Sequence, residues 1–126
     1  MAKVLGVILG LRKQGQYEDA QEAITEAYTE FFQLSSAEMD NAGAEGLPDF
    51  LRSSRSFGPG QMGMLADLLN EEAALLDAQG KRSEASLRYN QALQLFKEEN
   101  REQATVFSLD RNNKIAFIEK RLKEFT

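Results

Sequence analysis

The sequence has no histidine, no cysteine and no tryptophan, and only two prolines in 126 residues. Without cysteine there is neither a disulfide nor a thiolate nucleophile, and the redox compartment stays open. Without histidine the chain lacks the commonest general base, the commonest metal ligand and the one side chain whose unperturbed charge changes near neutral pH. A triad hydrolase and a zinc enzyme are therefore excluded as classes, and neither a cofactor nor a bound metal is expected. Long apolar runs are missing too. The opening MAKVLGVILGLRKQ has a short apolar stretch that runs into Arg12 and Lys13 with no small-residue cleavage site. It is too short to cross a bilayer. The expectation is a soluble, cytoplasmic chain with no membrane contact.

Positive charge is scarce where it would matter. The chain carries a net charge of −5, and between Lys13 and Arg52 there is no Lys or Arg at all, while Glu18, Asp19, Glu22, Glu26, Glu30, Glu38, Asp40, Glu45 and Asp49 fall in that interval. A nucleic-acid binder needs a continuous basic footprint. This distribution provides none, so a protein or peptide is the expected partner and nucleic acid is not.

What is present is helical periodicity. Ala20, Ile24, Ala27 and Phe31 recur at spacings of four, three and four, with Ala23 and Tyr28 widening the stripe. Val4 to Lys13 is apolar nearly all round, as a short buried helix would be, and Gly15 separates the two segments. A first helical hairpin is expected over 2–34. The chain then repeats itself. GQYEDAQEAITEAY at 15–28 is echoed 65 positions later by GKRSEASLRYNQAL at 80–93. Leu65, Leu68, Leu69, Ala73 and Leu76 form one amphipathic helix ending at Gly80, and Ala85, Tyr89, Ala92, Leu93 and Phe96 form the next, giving a second hairpin over 61–99.

No segment alternates apolar and polar residues, so the fold class is all-α and the chain reads as a single domain over 1–126. The interval 35–60 holds both prolines and the run RSSRS, and is expected to be an irregular insertion with short helices. Ser35 with Glu38 suits a helix start, and Pro48 suits the first turn of another segment over 48–54. Asn100 followed by Gln103 predicts the start of a last helix over 101–124, with Ala104, Phe107, Ile115, Ile118, Leu122 and Phe125 along one side.

The repeated grammar resembles the tetratricopeptide repeat, a helix-turn-helix unit of about 34 residues. The residues that carry the likeness are Ile8, Gly15, Ala20, Ile24 and Ala27 in the first copy, and Ala73, Gly80, Ala85, Tyr89 and Ala92 in the second. Lys97 stands where that family usually has proline. The run LGLRKQGQYEDA is also similar to a small, uncharacterised bacterial family, a likeness that adds no activity. The resemblance implies a right-handed stack of helical hairpins with a C-terminal capping helix, because a lone hairpin cannot bury its apolar face.

It further implies a ligand groove lined by the first helix of each hairpin. Carried onto this sequence, the groove would hold Leu5, Leu9, Arg12, Asn70, Ala74, Asp77 and Arg101. Chaperone-binding members hold a C-terminal carboxylate with Lys and Asn; the matching positions here are Leu5, Leu9, Glu71, Arg101 and Thr105, so that clamp is missing. Glu18, Glu22, Glu26 and Glu30 make a line of carboxylates at helical spacing, read as a solvated face. GPGQMG at 58–63 fits a nucleotide fingerprint in letters alone, since no strand precedes it, and is read as a hinge feeding a helix from about 61.

The function expected is that of a non-catalytic interaction module. A self-assembling module without an external ligand is the alternative, and a carboxylate enzyme with a bound metal is a third reading. Val4, Val7 and Leu11 near the start, and Val106, Leu109 and Phe117 near the end, form apolar lines that one neighbouring hairpin cannot cover. They are the expected interface of a homodimer.

Overall fold

The computed structural model describes residues 1–103 and 108–125. Among the described residues the chain forms six helices and no strand: α1 (Ala2–Lys13), α2 (Tyr17–Phe32), α3 (Ser36–Arg55), α4 (Pro59–Ala78), α5 (Arg82–Glu102) and α6 (Leu109–Glu124). The all-α reading of the sequence pattern is therefore correct. No described helix is long and apolar enough to cross a membrane.

The two turns that look alike in sequence are the same turn in space. Gly15 and Gly80 sit at φ 77° and φ 75°, a left-handed conformation in which any side chain is strained. The residue before each is near φ −86° and ψ 0°, with Gln14 at φ −84°, ψ −1° and Gln79 at φ −88°, ψ 0°. The residue after each also matches, with Gln16 at φ −86°, ψ 68° and Lys81 at φ −88°, ψ 71°. Hydrogen bonds repeat as well: Gln16 N–H donates to Leu11 O at 2.9 Å, and Lys81 N–H to Leu76 O at 2.9 Å. Ala20, Ile24 and Ala27 in one hairpin, and Ala85, Tyr89 and Ala92 in the other, are all buried. The small residues let the helices approach closely, and the large ones fill the space between the closest points.

The interval 35–60 departs from expectation. It is more helical than expected: two helical segments that meet at a kink make up α3, and the first opens, as the Ser35–Glu38 pair predicts, with a capping box in which Ser35 Oγ accepts from Glu38 N–H at 3.1 Å and the Glu38 carboxylate accepts from Ser35 N–H at 3.0 Å. Gly43, at φ 72° and ψ −177°, interrupts it. Pro48 lies buried inside the second half rather than opening a separate short helix. Both α2 and α3 end on a non-glycine residue in the left-handed region, Gln33 and Ser56. The apolar residue that follows each, Leu34 and Phe57, is buried, and its N–H closes the turn onto Tyr28 O and Leu51 O respectively. That burial offsets a backbone cost of about 1–2 kcal/mol per turn. Phe57 meets Phe32 with ring centroids 5.8 Å apart.

The last helix also starts elsewhere. α5 runs straight through Asn100 to Glu102, and α6 begins at Leu109, where Ser108 Oγ accepts from Arg111 N–H at 3.1 Å. Asn100 caps nothing; its amide donates to Asn112 at 3.0 Å. Ala104, Phe107 and the interface candidate Val106 lie outside the described residues. Ile115 and Ile118 are buried, with Leu122 and Phe125 packed at the core margin.

The most extensive helix pairing is α4 with α5. Helices α1 and α2 lie against α4, and α3 and α6 lie against α5. α1 is a surface helix with Ile8 alone fully buried, not the buried helix its composition predicts. Val7 is 56% exposed.

Because nothing lies within 4 Å of a Cβ built on Gly15 or Gly80, alanine there tests backbone strain alone. Gly15→Ala and Gly80→Ala should each cost about 1–2 kcal/mol, by the same amount within error, in urea denaturation. Gly6→Ala, inside α1 and equally free of neighbours, should instead stabilise by about 0.5–1 kcal/mol.

Candidate functional site

Helix α4 separates two sites. On one face it lines a groove shared with α1 and α6. There a pocket of about 340 Å³ is bounded by Arg12 from α1, by Ala74, Asp77 and Ala78 from α4, and by Phe117 and Arg121 from α6. Three of the residues assigned to a groove from the sequence, Arg12, Ala74 and Asp77, therefore come together. Leu5 and Leu9 lie half-buried on α1, and Asn70 sits one turn before Ala74 on α4. Arg101 does not join them. It is the exposed end of α5 and pairs with Glu98 at 2.5 Å, on the side that faces α3.

Phe117, 56% exposed, adds an apolar wall to the pocket. Of the other interface candidates, Leu109 is 63% exposed, while Val4 and Leu11 pack against the core margin.

The charges of this groove are internally balanced. Arg121 grips Asp77 with two bonds, Nε to Oδ2 at 2.6 Å and Nη2 to Oδ1 at 2.7 Å, and the Tyr89 hydroxyl donates to the same carboxylate at 3.2 Å. The Arg121 bonds hold the Asp77 carboxyl below its usual pKa against the opposing effect of burial. Lys114 donates to Asp67 at 2.6 Å. Arg12 and Glu71 meet at 3.5 Å without a well-formed hydrogen bond. Burial raises the Glu71 pKa, and the nearby Arg12 only partly opposes this. Three buried polar atoms here make no hydrogen bond: Arg12 Nε, Asn70 Oδ1 and Glu71 Oε2, the last held only by its ion pair with Arg12. Buried polar atoms are rarely left unpaired, and these sit on the α1 and α4 walls.

On its opposite face α4 carries Glu72, which is 4% exposed. Its carboxylate accepts from the Tyr28 hydroxyl at 2.8 Å, from Gln21 at 2.9 Å and from Arg88 Nε at 2.6 Å. Arg88 also donates to Gln91 at 2.8 Å and pairs with Asp40 at 2.8 Å. Gln91 in turn donates to Met39 O at 2.8 Å and to Gly43 O at 3.3 Å, the latter at the break in α3. Burial, then the Glu72 charge, pushes the Tyr28 phenol well above its usual pKa, so it stays a donor. Burial alone would lower the basicity of Arg88, but Glu72, Tyr28 and Asp40 together more than restore it. A pocket of about 290 Å³, with Lys81 and Glu84 at its rim, opens onto this network. Nothing in the sequence pattern marks Glu72 or Arg88, because a buried charge on an amphipathic helix looks like a break in the apolar stripe.

Glu18, Glu22, Glu26 and Glu30 are all exposed on α2. The arginines of RSSRS tether α3, with Arg52 bonded to Glu98 and Glu102, and Arg55 to Glu38. The glycines of GPGQMG fall within the first turns of α4, which begins at Pro59, two residues earlier than expected. Comparison with protein-family models, with curated proteins and with solved structures finds no match to this chain.

Two measurements check the energetics of these sites. Arg88→Met strands Glu72 in the core and should cost about 3–5 kcal/mol, whereas Asp40→Asn, whose side chain is 55% exposed, should cost less than about 1 kcal/mol. Asp77→Asn should cost about 1.5–3 kcal/mol at neutral pH. Since the folded pKa of Asp77 is depressed, its contribution is present above the unfolded value and is lost as pH falls through the folded one. The gap between Asp77→Asn and the unmodified chain should therefore close in urea titrations as pH falls below the ordinary carboxylate range.

Proposed function

We propose that the protein is a non-catalytic, helical-repeat interaction module of the tetratricopeptide type, and that its α1–α4–α6 groove takes an extended protein segment. The observation that carries this reading is the set of polar atoms without hydrogen bonds on Arg12, Asn70 and Glu71, of which Arg12 lines the same pocket as the exposed Phe117. A peptide backbone offers both donors and acceptors to such atoms, and an apolar side chain would rest on Phe117, Ala74 and Ala78. The two matching hairpin turns support the repeat assignment. Each acid of the groove has a basic neighbour, so the segment it suits is apolar and close to uncharged.

Self-assembly is a second reading, favoured by a register relation within the repeat. Under the 65-residue offset, Val4, Val7 and Leu11 of α1 correspond to Leu69, Glu72 and Leu76 of α4, all buried. Glu72 faces α2; its counterpart Val7 faces solvent. α3 packs on α5 and leaves Val7 exposed. A second copy is the occupant this reading assigns to that face of α1.

Selection of peptides from a random display library tests the first reading. Selected peptides should share an aromatic or aliphatic residue, bind with little dependence on salt, and lose binding to Ala74→Arg while keeping it to Glu22→Gln/Glu26→Gln. Basic peptides lost in the latter double variant would move the binding surface to α2. Sedimentation equilibrium tests the second: a species of twice 14.1 kDa that Val7→Lys dissociates supports it, and a monomer at micromolar concentration refutes it.

A further inference from the structure

A third pocket lies where the first turns of α4 and α6 meet the last turns of α5. Its volume is about 290 Å³, and Gly63, Phe96, Glu99, Gln103, Asp110 and Lys114 are among the residues that line it. Glu99 is only 3% exposed, and its Oε1 has no hydrogen-bond partner. The carboxyl group lies against the backbone of Gly63, where an added Cβ would meet the Glu99 Cδ at 3.5 Å and Oε1 at 3.8 Å. The nearby Gly63 amide only partly offsets the burial of the carboxylate, and Oε1 at the pocket wall makes no hydrogen bond.

Other charges around it are engaged. Lys114 Nζ donates to Asp67 at 2.6 Å and lies 3.1 Å from Asp110. Arg111 Nε donates to Asn100. Asp67, Glu99 and Asp110 face Arg111 and Lys114, so the lining carries one excess negative charge, and the buried carboxylate has no ion pair of its own. A buried carboxylate with an unused oxygen calls for a hydrogen-bond donor, and a charged donor satisfies it best. The pocket already shows how an ammonium is accommodated there, since Lys114 Nζ sits 5.9 Å from the centre of the Phe96 ring between two carboxylates. A bare metal ion suits the site less well, because no cluster of three potential ligands exists among the described residues.

We propose that this pocket binds a primary ammonium group through Glu99, either of a small free amine or of a lysine side chain on a partner. Burial raises the Glu99 pKa, and a bound cation would bring it back down. The pocket shares the Lys114–Asp67 pair with the margin of the α1–α4–α6 groove, but Glu99 does not line the groove pocket, and the proposal does not depend on the reading given to that groove.

The test follows the side-chain carboxyl carbons by NMR in the full chain with carbon-13 glutamate. Titration with n-butylammonium chloride should shift the Glu99 signal saturably and move its protonation to lower pH. Tetramethylammonium chloride at equal ionic strength, which has no N–H to donate, should do neither. A lysine-containing peptide that acts at concentrations at least tenfold lower than butylammonium assigns the ammonium to a partner's side chain; the reverse order assigns it to a free amine. Glu99→Gln should weaken butylammonium binding about tenfold or more. An unresponsive Glu99 signal up to about 100 mM amine, an equal response to tetramethylammonium, or unaltered binding by a folded Glu99→Gln variant would each overturn the proposal, leaving ordered water to satisfy Oε1.

Discussion

Arg88 is the residue on which the arrangement of four helices depends. From α5 it reaches Glu72 on α4 and Asp40 on α3, and through Glu72 it is joined to Tyr28 and Gln21 on α2. A buried ion pair contributes little net stability, since desolvation of two charges cancels most of their attraction. Its demand for partners in fixed directions is a different matter. A core built only from Leu and Ala at this junction tolerates small slides of one helix along another, whereas a carboxylate that accepts from three donors on two other helices tolerates very few. Register, more than affinity between helices, is what this network supplies.

The same demand explains the shape of α3. Gly43 breaks the helix at φ 72°. Gln91, fully buried beside Arg88, reaches across to that break and donates to Met39 O and Gly43 O. Break, amide and ion pair form one construction. Further along, Arg52 and Arg55 fasten the second half of α3 to α5 and to the start of α3 itself. α3 is thus committed to the Arg88 side of the molecule, which leaves the opposite face of α4 uncovered between α1 and α6.

Much of the hairpin geometry was legible because it rests on local rules. Glycine at 15 and 80 reports a left-handed turn, and alanines at fixed distances from it report close crossings, so the two copies could be aligned without any structure. The groove residues on α1 and α4 were carried over from the tetratricopeptide resemblance, and of them Arg12, Ala74 and Asp77 line one pocket. The start of α3 was legible in the Ser35–Glu38 pair, but its extent was not, because Gly43, Gly46 and Pro48 are individually helix-breaking while the burial of Met39, Leu47 and Leu51 keeps the segment helical. α5 was cut short for the complementary reason: Asn100 is a good cap in isolation, but Phe96 and Glu99 are buried around it, and tertiary contact outweighs local preference. Arg101 was placed on the wrong surface by that error. Glu72, Arg88 and Glu99 were illegible because each is one charged letter in a chain with many, and only packing distinguishes a buried charge from a solvated one.

Charge balance finally separates the two faces of the molecule. The four glutamates of α2 are exposed and repel one another at about 0.2–0.5 kcal/mol per neighbouring pair, a cost easily carried by a helix whose other face buries Ala20, Ile24, Ala27 and Tyr28. Such a face keeps the chain apart from other acidic surfaces but offers no depth. In the groove each carboxylate already has a basic neighbour, so a highly charged ligand would have to displace Arg121 from Asp77 or Lys114 from Asp67 before gaining its own contact. A ligand with apolar side chains and free backbone groups would displace neither pair and would meet the exposed Phe117. Under the proposed reading, selectivity would come from the cost of breaking internal ion pairs as much as from the contacts a ligand makes.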